Sequence, residues 1–350
     1  MRTRLRTILR RLTANGLYYS GLLWVYAGLK LRHRVVVLMY HRILPDGADT
    51  FSEDSIIVRP GTFSRHLQFL KRHFRLLTVQ QLADALRSGQ PLPSRGCLVT
   101  FDDGWQDNVQ HALPLLRQHD VPAVVFLATD YVGATTCFWQ ERLARRLFAA
   151  AGCEGPPRDL VEQLTKPGVP CLPPADRRLA IREAITAMKQ WPQEEIARLE
   201  RRLVEVMATA GMDAEETGDD RFMDWESVSR LVPPSPLVAA AHGCSHSPLT
   251  QLESVHVGAE LAGCKQRIEA ATGRPVTAIA YPNGNYDDAV VNQSRREGYV
   301  VGFTTVRGLV SAGDDPLRLR RLNVHEAATS SVPELLCIIL GVFHKWPQQV

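Results

Sequence analysis

Two adjacent carboxylates, Asp102 and Asp103, follow the apolar run Cys97-Leu98-Val99-Thr100-Phe101. Such a run reads as a buried strand, and a carboxylate left unpaired at its end costs several kcal/mol. A divalent metal can hold one of the two. The other, pointing elsewhere because successive side chains diverge, is then available as a general base. An isolated Asp-Asp-Gly is also a common capping turn, so the pair needs company. His242-Gly243-Cys244-Ser245-His246 supplies it, after the apolar run Leu237–Ala241. Two imidazoles separated by three residues can converge on one metal from a helix or a tight loop, and Gly243 and Pro248 favour the loop. Paired histidines also satisfy one another or lie at surfaces. Combined with an Asp from a separate strand end, they make up the three protein ligands and open position of a catalytic zinc site. Tyr281-Pro282-Asn283-Gly284 follows a third apolar run, and its Pro and Gly set a turn whose backbone N–H groups can face a developing oxyanion.

The elements that must position these residues alternate along the chain. Apolar runs at 35–40, 97–101, 123–128, 237–241, 276–280, 300–304 and 319–324 read as strands, with amphipathic stretches between most of them. Phe63, Leu67 and Leu70 have helical spacing, and Thr78 with Gln81 forms a capping-box signature. Alternation of this kind predicts an α/β chain closing into a (β/α) barrel, distorted or incomplete, with chemistry at the carboxyl ends of the strands. The rhythm breaks between about 134 and 235, where Arg, Glu, Ala and Leu dominate and Pro156-Pro157 and Pro173-Pro174 interrupt. This is a helical insertion whose charged stretches are solvated faces. It contains no histidine, so no metal ligand is expected from it.

The 350 residues are 45% hydrophobic with a net charge of +4, enough to build a large core and too little basic striping for a nucleic-acid partner. Seven scattered cysteines without a Cys-x-x-Cys pair argue against a disulfide framework. The thiols favour a cytoplasmic or inner-membrane-associated enzyme, with the periplasm left open. Residues 1–33 stand apart as an amphipathic segment: Arg2, Arg4, Arg6, Arg10 and Arg11 precede the apolar, aromatic stretch Gly16–Leu29. That stretch is shorter than the roughly 20 residues needed to span a bilayer. An interfacial helix touching a membrane through residues 1–31, with Tyr18, Tyr19 and Trp24 at the boundary, and a helix packed on the catalytic domain (34–350) account for it equally well.

On these residues the chain resembles the polysaccharide deacetylases of carbohydrate esterase family four, the NodB-homology group. The specific anchors are Thr100-Phe101-Asp102-Asp103-Gly104 and His242-Gly243-Cys244-Ser245-His246, and Val37–His41 and Met223–Glu226 resemble weaker landmarks. The likeness covers most of residues 34–325 apart from the insertion. It implies a NodB-like barrel and a hydrolase that removes N-acetyl groups from an amino-sugar glycan in exopolysaccharide or cell-envelope biosynthesis, using Zn2+ or another divalent metal. By resemblance Asp102 is the catalytic base, Asp103, His242 and His246 bind the metal, the Asn283 N–H receives the oxyanion, and His325 is the late catalytic histidine that protonates the leaving amine. His41, after the first strand, reads as a structural hydrogen-bonding residue. The chain departs from the family pattern at the third motif, where Ala280 and Asn283 stand in place of an Arg and a Tyr, a form closer to the exopolysaccharide-modifying branch. Arg320 or Arg321 on the last strand is the candidate replacement for the missing Arg. Competing readings are a deformylase or other amide hydrolase on a lipid-linked sugar, and a non-catalytic glycan-binding protein.

Overall fold

The computed structural model describes residues 2–165, 168–212 and 218–343. Seven strands are parallel throughout: β1 (Val35–Tyr40), β2 (Gly96–Phe101), β3 (Ala123–Leu127), β4 (Leu237–Ala241), β5 (Ala278–Ala280), β6 (Val301–Arg307) and β7 (Leu319–Asn323). Each pairs with the next in the chain, and β7 returns to β1 through Leu38↔Leu322 and Met39↔Asn323, so the seven close into a barrel. All seven correspond to runs legible in the sequence. An eighth strand was not: the two-residue Arg75–Leu76 pairs beside the start of β2 and is too short to show a pattern.

The period of two along each strand decides what enters the barrel. Val35 and Val37, Leu98, Val124 and Phe126, Ala240, Ala278 and Ala280, Val301 and Phe303, and Leu319 form one apolar cluster, closed at the amino ends by Leu82, Leu86 and Leu92. Val36, Leu38 and Tyr40, Val99 and Phe101, Val125 and Leu127 face the other way, into the layer under the surrounding helices. Continued to the carboxyl ends, the inward register reaches His41, Asp102, His242 and Arg321. That register carries the polar residues into the barrel mouth.

The chain divides into two compact units. The barrel unit comprises the chain up to Asp46, Asp54–Ala134 and everything from Phe222 onward. The second unit, Thr135–Arg221 with Gly47–Glu53, contains helices Trp139–Ala150, Pro156–Leu164, Pro174–Met188 and Gln193–Thr209 around its own core of Leu143, Leu147, Val161, Ile181, Leu203 and Met207. Residues 222–235, which read as part of the insertion, belong to the barrel unit because Met223 N–H donates to the Gly104 carbonyl and Gly133 N–H to that of Met223.

The amino-terminal segment forms α1 (Arg2–Tyr19) and α2 (Leu22–Lys30), and both pack on the barrel unit. Arg10 donates to Glu334 at 2.9 Å and to the Ala327 carbonyl, and Lys30 to the Leu340 carbonyl at 2.6 Å. Ala14, Leu23, Ala27 and Leu31 are buried. Trp24, expected at a membrane boundary, instead lies against Phe69 and His73, because it falls on the inward side of α2. No described helix is long and apolar enough to cross a membrane.

Candidate active site

Asp103 breaks the alternation that places Asp102 inside the barrel, and in an extended backbone it would point outward. Its φ of 78° turns it back in, a left-handed conformation that a non-glycine residue adopts only when its surroundings impose it. The next residue must be glycine: at Gly104, with φ +87°, a Cβ would come within 2.7 Å of Leu127 Cδ2. His246 (φ 60°) is turned the same way. The result is a cluster in which Asp103 Oδ1 lies 3.5 Å from His242 Nε2 and 3.3 Å from His246 Nε2.

These three groups fit a divalent metal. His242 Nδ1 lies 2.7 Å from the Ala280 carbonyl, so this nitrogen carries the proton and donates it there. A neutral ring presents an Nε2 lone pair to the Asp103 carboxylate, an arrangement that a cation held between the two would satisfy. The three ligand atoms all lie within 4.8 Å of one another, and one carboxylate with two imidazoles is a donor set for zinc and similar ions. The free oxygen, Asp103 Oδ2, accepts from Trp105 Nε1 at 2.8 Å. Trp105 is fully buried, stacked on Phe222 at 4.3 Å between centroids, with the Arg42 guanidinium 4.1 Å from the ring. Arg42 is in turn fixed to Asp107 at 2.9 Å. On the other side, Glu260 accepts from the Cys244 and Ser245 N–H groups at 2.6 and 3.0 Å, which tethers the loop between the two histidines. Trp105 and Glu260 were not assigned roles from sequence. Trp105 stood next to the carboxylates; for Glu260, in the helix Ser254–Thr272, the sequence offers no signal.

Asp102 is held differently. Arg321 Nη1 and Nη2 donate to its two oxygens at 2.6 and 2.7 Å, a forked pair with both side chains almost wholly buried. Arg321 is itself aimed by Nε donating to the Thr304 carbonyl at 2.9 Å. Of the two candidates on β7, Arg321 is therefore the counter-ion, and Arg320, of the opposite parity, is exposed. Burial pushes the Asp102 carboxyl up, and the guanidinium overrides it and holds the group below its ordinary range. Each carboxylate oxygen keeps a lone pair for a proton arriving from the barrel mouth.

The remaining candidates separate. Asn283 (φ 54°) sits at the turn after β5, its N–H unengaged while Gly284 N–H closes the turn onto the Tyr281 carbonyl. At Gly243 (φ +76°) an added Cβ would come within 3.0 Å of Glu260 Oε2. His41, read as structural, has a buried Nδ1 with no hydrogen-bond partner and feels the charges of Asp103, Asp102, Arg321 and His242. His325 is buried just beyond β7, but the charges acting on it are those of Arg10 and Asp54, and burial pushes it down to about 4. The structure brings together Asp102, Asp103, His242, His246 and His41, and leaves His325 outside that electrostatic group.

Comparison with known proteins fits this geometry. The family profile described as Polysaccharide deacetylase matches residues 89–169 and 193–302, more than half of the chain. The chain belongs to the polysaccharide deacetylase family. The matched stretches hold Asp102, Asp103, His242, His246 and Asn283, while His41 and Arg321 lie outside them. YxkH of Bacillus subtilis (strain 168), provisionally named a polysaccharide deacetylase, is 21% identical over 300 residues, covering 85% of this chain and 74% of that protein. The poly-beta-1,6-N-acetyl-D-glucosamine N-deacetylase of Staphylococcus epidermidis is 29% identical over 114 residues, covering 30% of this chain and 39% of the relative. The solved structure of IcaB from Ammonifex degensii shares the fold, with a TM-score of 0.56 at 18% identity over 88% of this chain and 97% of that one.

Proposed function

We propose that this polysaccharide deacetylase is a divalent-metal-dependent N-deacetylase of an acetylated amino-sugar exopolysaccharide, with a β-1,6-linked N-acetylglucosamine polymer as the substrate class to test first. The observation that carries the chemistry is the Asp103, His242 and His246 cluster beside the forked Asp102–Arg321 pair. The substrate class is supported by the printed activity of the Staphylococcus epidermidis relative.

A divalent metal held by Asp103, His242 and His246, zinc by the donor set, would supply a water whose pKa falls to about 7 and a positive centre for the amide carbonyl. Asp102 receives the water's proton on the lone pair left by the Arg321 fork, and the fork keeps its oxygens aimed. The unengaged Asn283 N–H donates to the oxyanion as the carbonyl becomes tetrahedral. Protonation of the departing sugar amine falls to His41, which feels the charges of Asp103 and Asp102, and not to His325, whose Nδ1 is equally unpartnered but which feels Arg10 and Asp54.

The test is acid release from oligomers bearing N-acetyl or N-formyl groups, with and without chelator, beside metal analysis of the purified protein. Acetate release that a chelator stops and Zn2+ restores is the expected result. Formate release in preference to acetate would instead favour the lipid-linked deformylase reading, and activity indifferent to chelation would remove the metal from the proposal.

A further inference from the structure

Residues 1–34 contain eight Lys and Arg and no Asp or Glu. The helices built from them are apolar on the side that packs on the barrel and apolar again on the side that does not. In α2, Leu23 and Ala27 are buried, while Leu22, Val25, Tyr26 and Leu29 are 60, 69, 44 and 76% exposed. Their spacing of i, i+3, i+4 and i+7 makes one continuous outward stripe. In α1, Ile8, Leu9, Leu12 and Tyr19 are also more than half exposed. A solvated helix face is polar, and an apolar surface of this extent marks a binding face.

The charge decides what covers it. A second copy docked face to face by a two-fold would bring together two segments whose charged residues are all basic, Arg11 at more than half exposure among them, with no acidic group on either segment to offset them. An anionic bilayer offers both complements, acyl chains for the apolar stripe and lipid phosphates for the cations. We infer that the outward face of α1 and α2 is an interfacial docking surface for an anionic phospholipid bilayer. The aromatic residues that meet the lipid are Tyr19 and Tyr26, since Trp24 is engaged with Phe69 and His73.

The placement of α1 also sets how the active site meets that surface. At one end of this contact Arg10, midway along α1, binds Ala327 and Glu334, just past the carboxyl end of β7. At the other, Tyr18 meets Trp24, which packs on Phe69 and His73, where the helix Pro60–His73 returns the chain toward the amino end of β2. The helix thus runs along the flank of the barrel. Docking on this flank makes the barrel mouth open along the bilayer surface, not away from it.

Flotation of the full-length protein with vesicles tests this without reference to turnover, so failure of the deacetylase reading leaves it standing and the reverse. With phosphatidylcholine vesicles containing phosphatidylglycerol at low salt, the protein floats; with pure phosphatidylcholine, or at high salt, floating falls steeply. Val25→Glu with Leu29→Glu lowers the partition coefficient by about 10²-fold through lost apolar contact and charge repulsion, leaving thermal unfolding and acetate release from soluble oligomers unchanged. Leu12→Gln with Leu22→Gln, which adds no charge, gives an independent reduction should the first variant fold poorly. Absence of wild-type binding, or variants that float as well as wild type, would overturn the inference. So would a protein that ignores vesicles but forms a dimer that Val25→Glu with Leu29→Glu splits, since the occupant is then a second copy.

Discussion

Replacing Arg321 by Met removes the only charged hydrogen-bond donor to Asp102 among the described residues and leaves a carboxylate that is 2% exposed without a hydrogen-bonded counter-ion. Loss of one partner from a buried pair costs about 3–5 kcal/mol, most of it desolvation of the charge left behind. That cost depends on pH in a defined direction. In the wild type Asp102 is held below its ordinary range, so its contribution is fully present above about pH 4 and is lost as pH falls through the folded value. In Arg321→Met burial is opposed only by the charges of His242 and His41, so the group rises from its wild-type position, and the variant's deficit shrinks in acid and is greatest at neutral pH. Urea unfolding of both proteins from about pH 4 to about pH 7 reads this directly. Adding Asp102→Asn to Arg321→Met removes the stranded charge and recovers most of the loss, whereas Arg321→Lys recovers little because an ammonium cannot make the fork. A cost below about 1 kcal/mol for Arg321→Met, or a double variant no more stable than the single one, would refute the account.

The two adjacent carboxylates fail differently. Asp103→Ala loses metal and acetate release together, while Asp102→Asn keeps metal and loses about 10²-fold to 10⁴-fold in turnover, as metal analysis beside single-turnover release will show. Trp105→Phe keeps the stack on Phe222 but removes the hydrogen bond to Asp103, and metal affinity measured by competition with a chelator falls about 10-fold to 100-fold. His66 is buried with Nδ1 3.1 Å from Tyr40 Oη and Nε2 2.7 Å from the Thr329 carbonyl, and burial lowers it to about 4. The unfolded state therefore takes up a proton that the folded state refuses, and about 3 kcal/mol of stability is lost as pH falls from about 6.5 toward 4. In His66→Gln that part of the pH dependence disappears; parallel stability profiles for the two proteins would show that His66 is not its source.

The strands were legible because each is a short apolar run between breakers, and the metal cluster because Asp103, His242 and His246 follow such runs directly. Arg321 is legible too, because it shares the inward parity of Leu319 and Arg320 does not. The left-handed turns at Asp103 and His246 were not, since neither residue type announces a positive φ. Gly47–Glu53 reads as an ordinary loop and joins the second unit through contacts made far along the chain, such as Phe51 N–H to Asp220 at 2.9 Å. The same reason hid Glu260, whose partners lie 15 and 16 residues away, and the inward setting of Trp24, which depends on where Phe69 and His73 come to rest.

The ring order of the strands has a consequence for biosynthesis. Asp102 emerges from the ribosome on β2, and the guanidinium that neutralises it follows 219 residues later on β7. Until β7 arrives, β1 and β6 keep open edges and Asp102 has no partner to allow its burial, so the nascent barrel cannot complete its core in the order in which it is made. Closure is then a late step dominated by long-range contacts, which fold slowly and leave strand edges exposed in the meantime. Arrested chains ending before Leu319 should accordingly be protease-sensitive throughout the barrel, β2 included, while chains long enough to free β7 from the ribosome gain protection in all seven strands together.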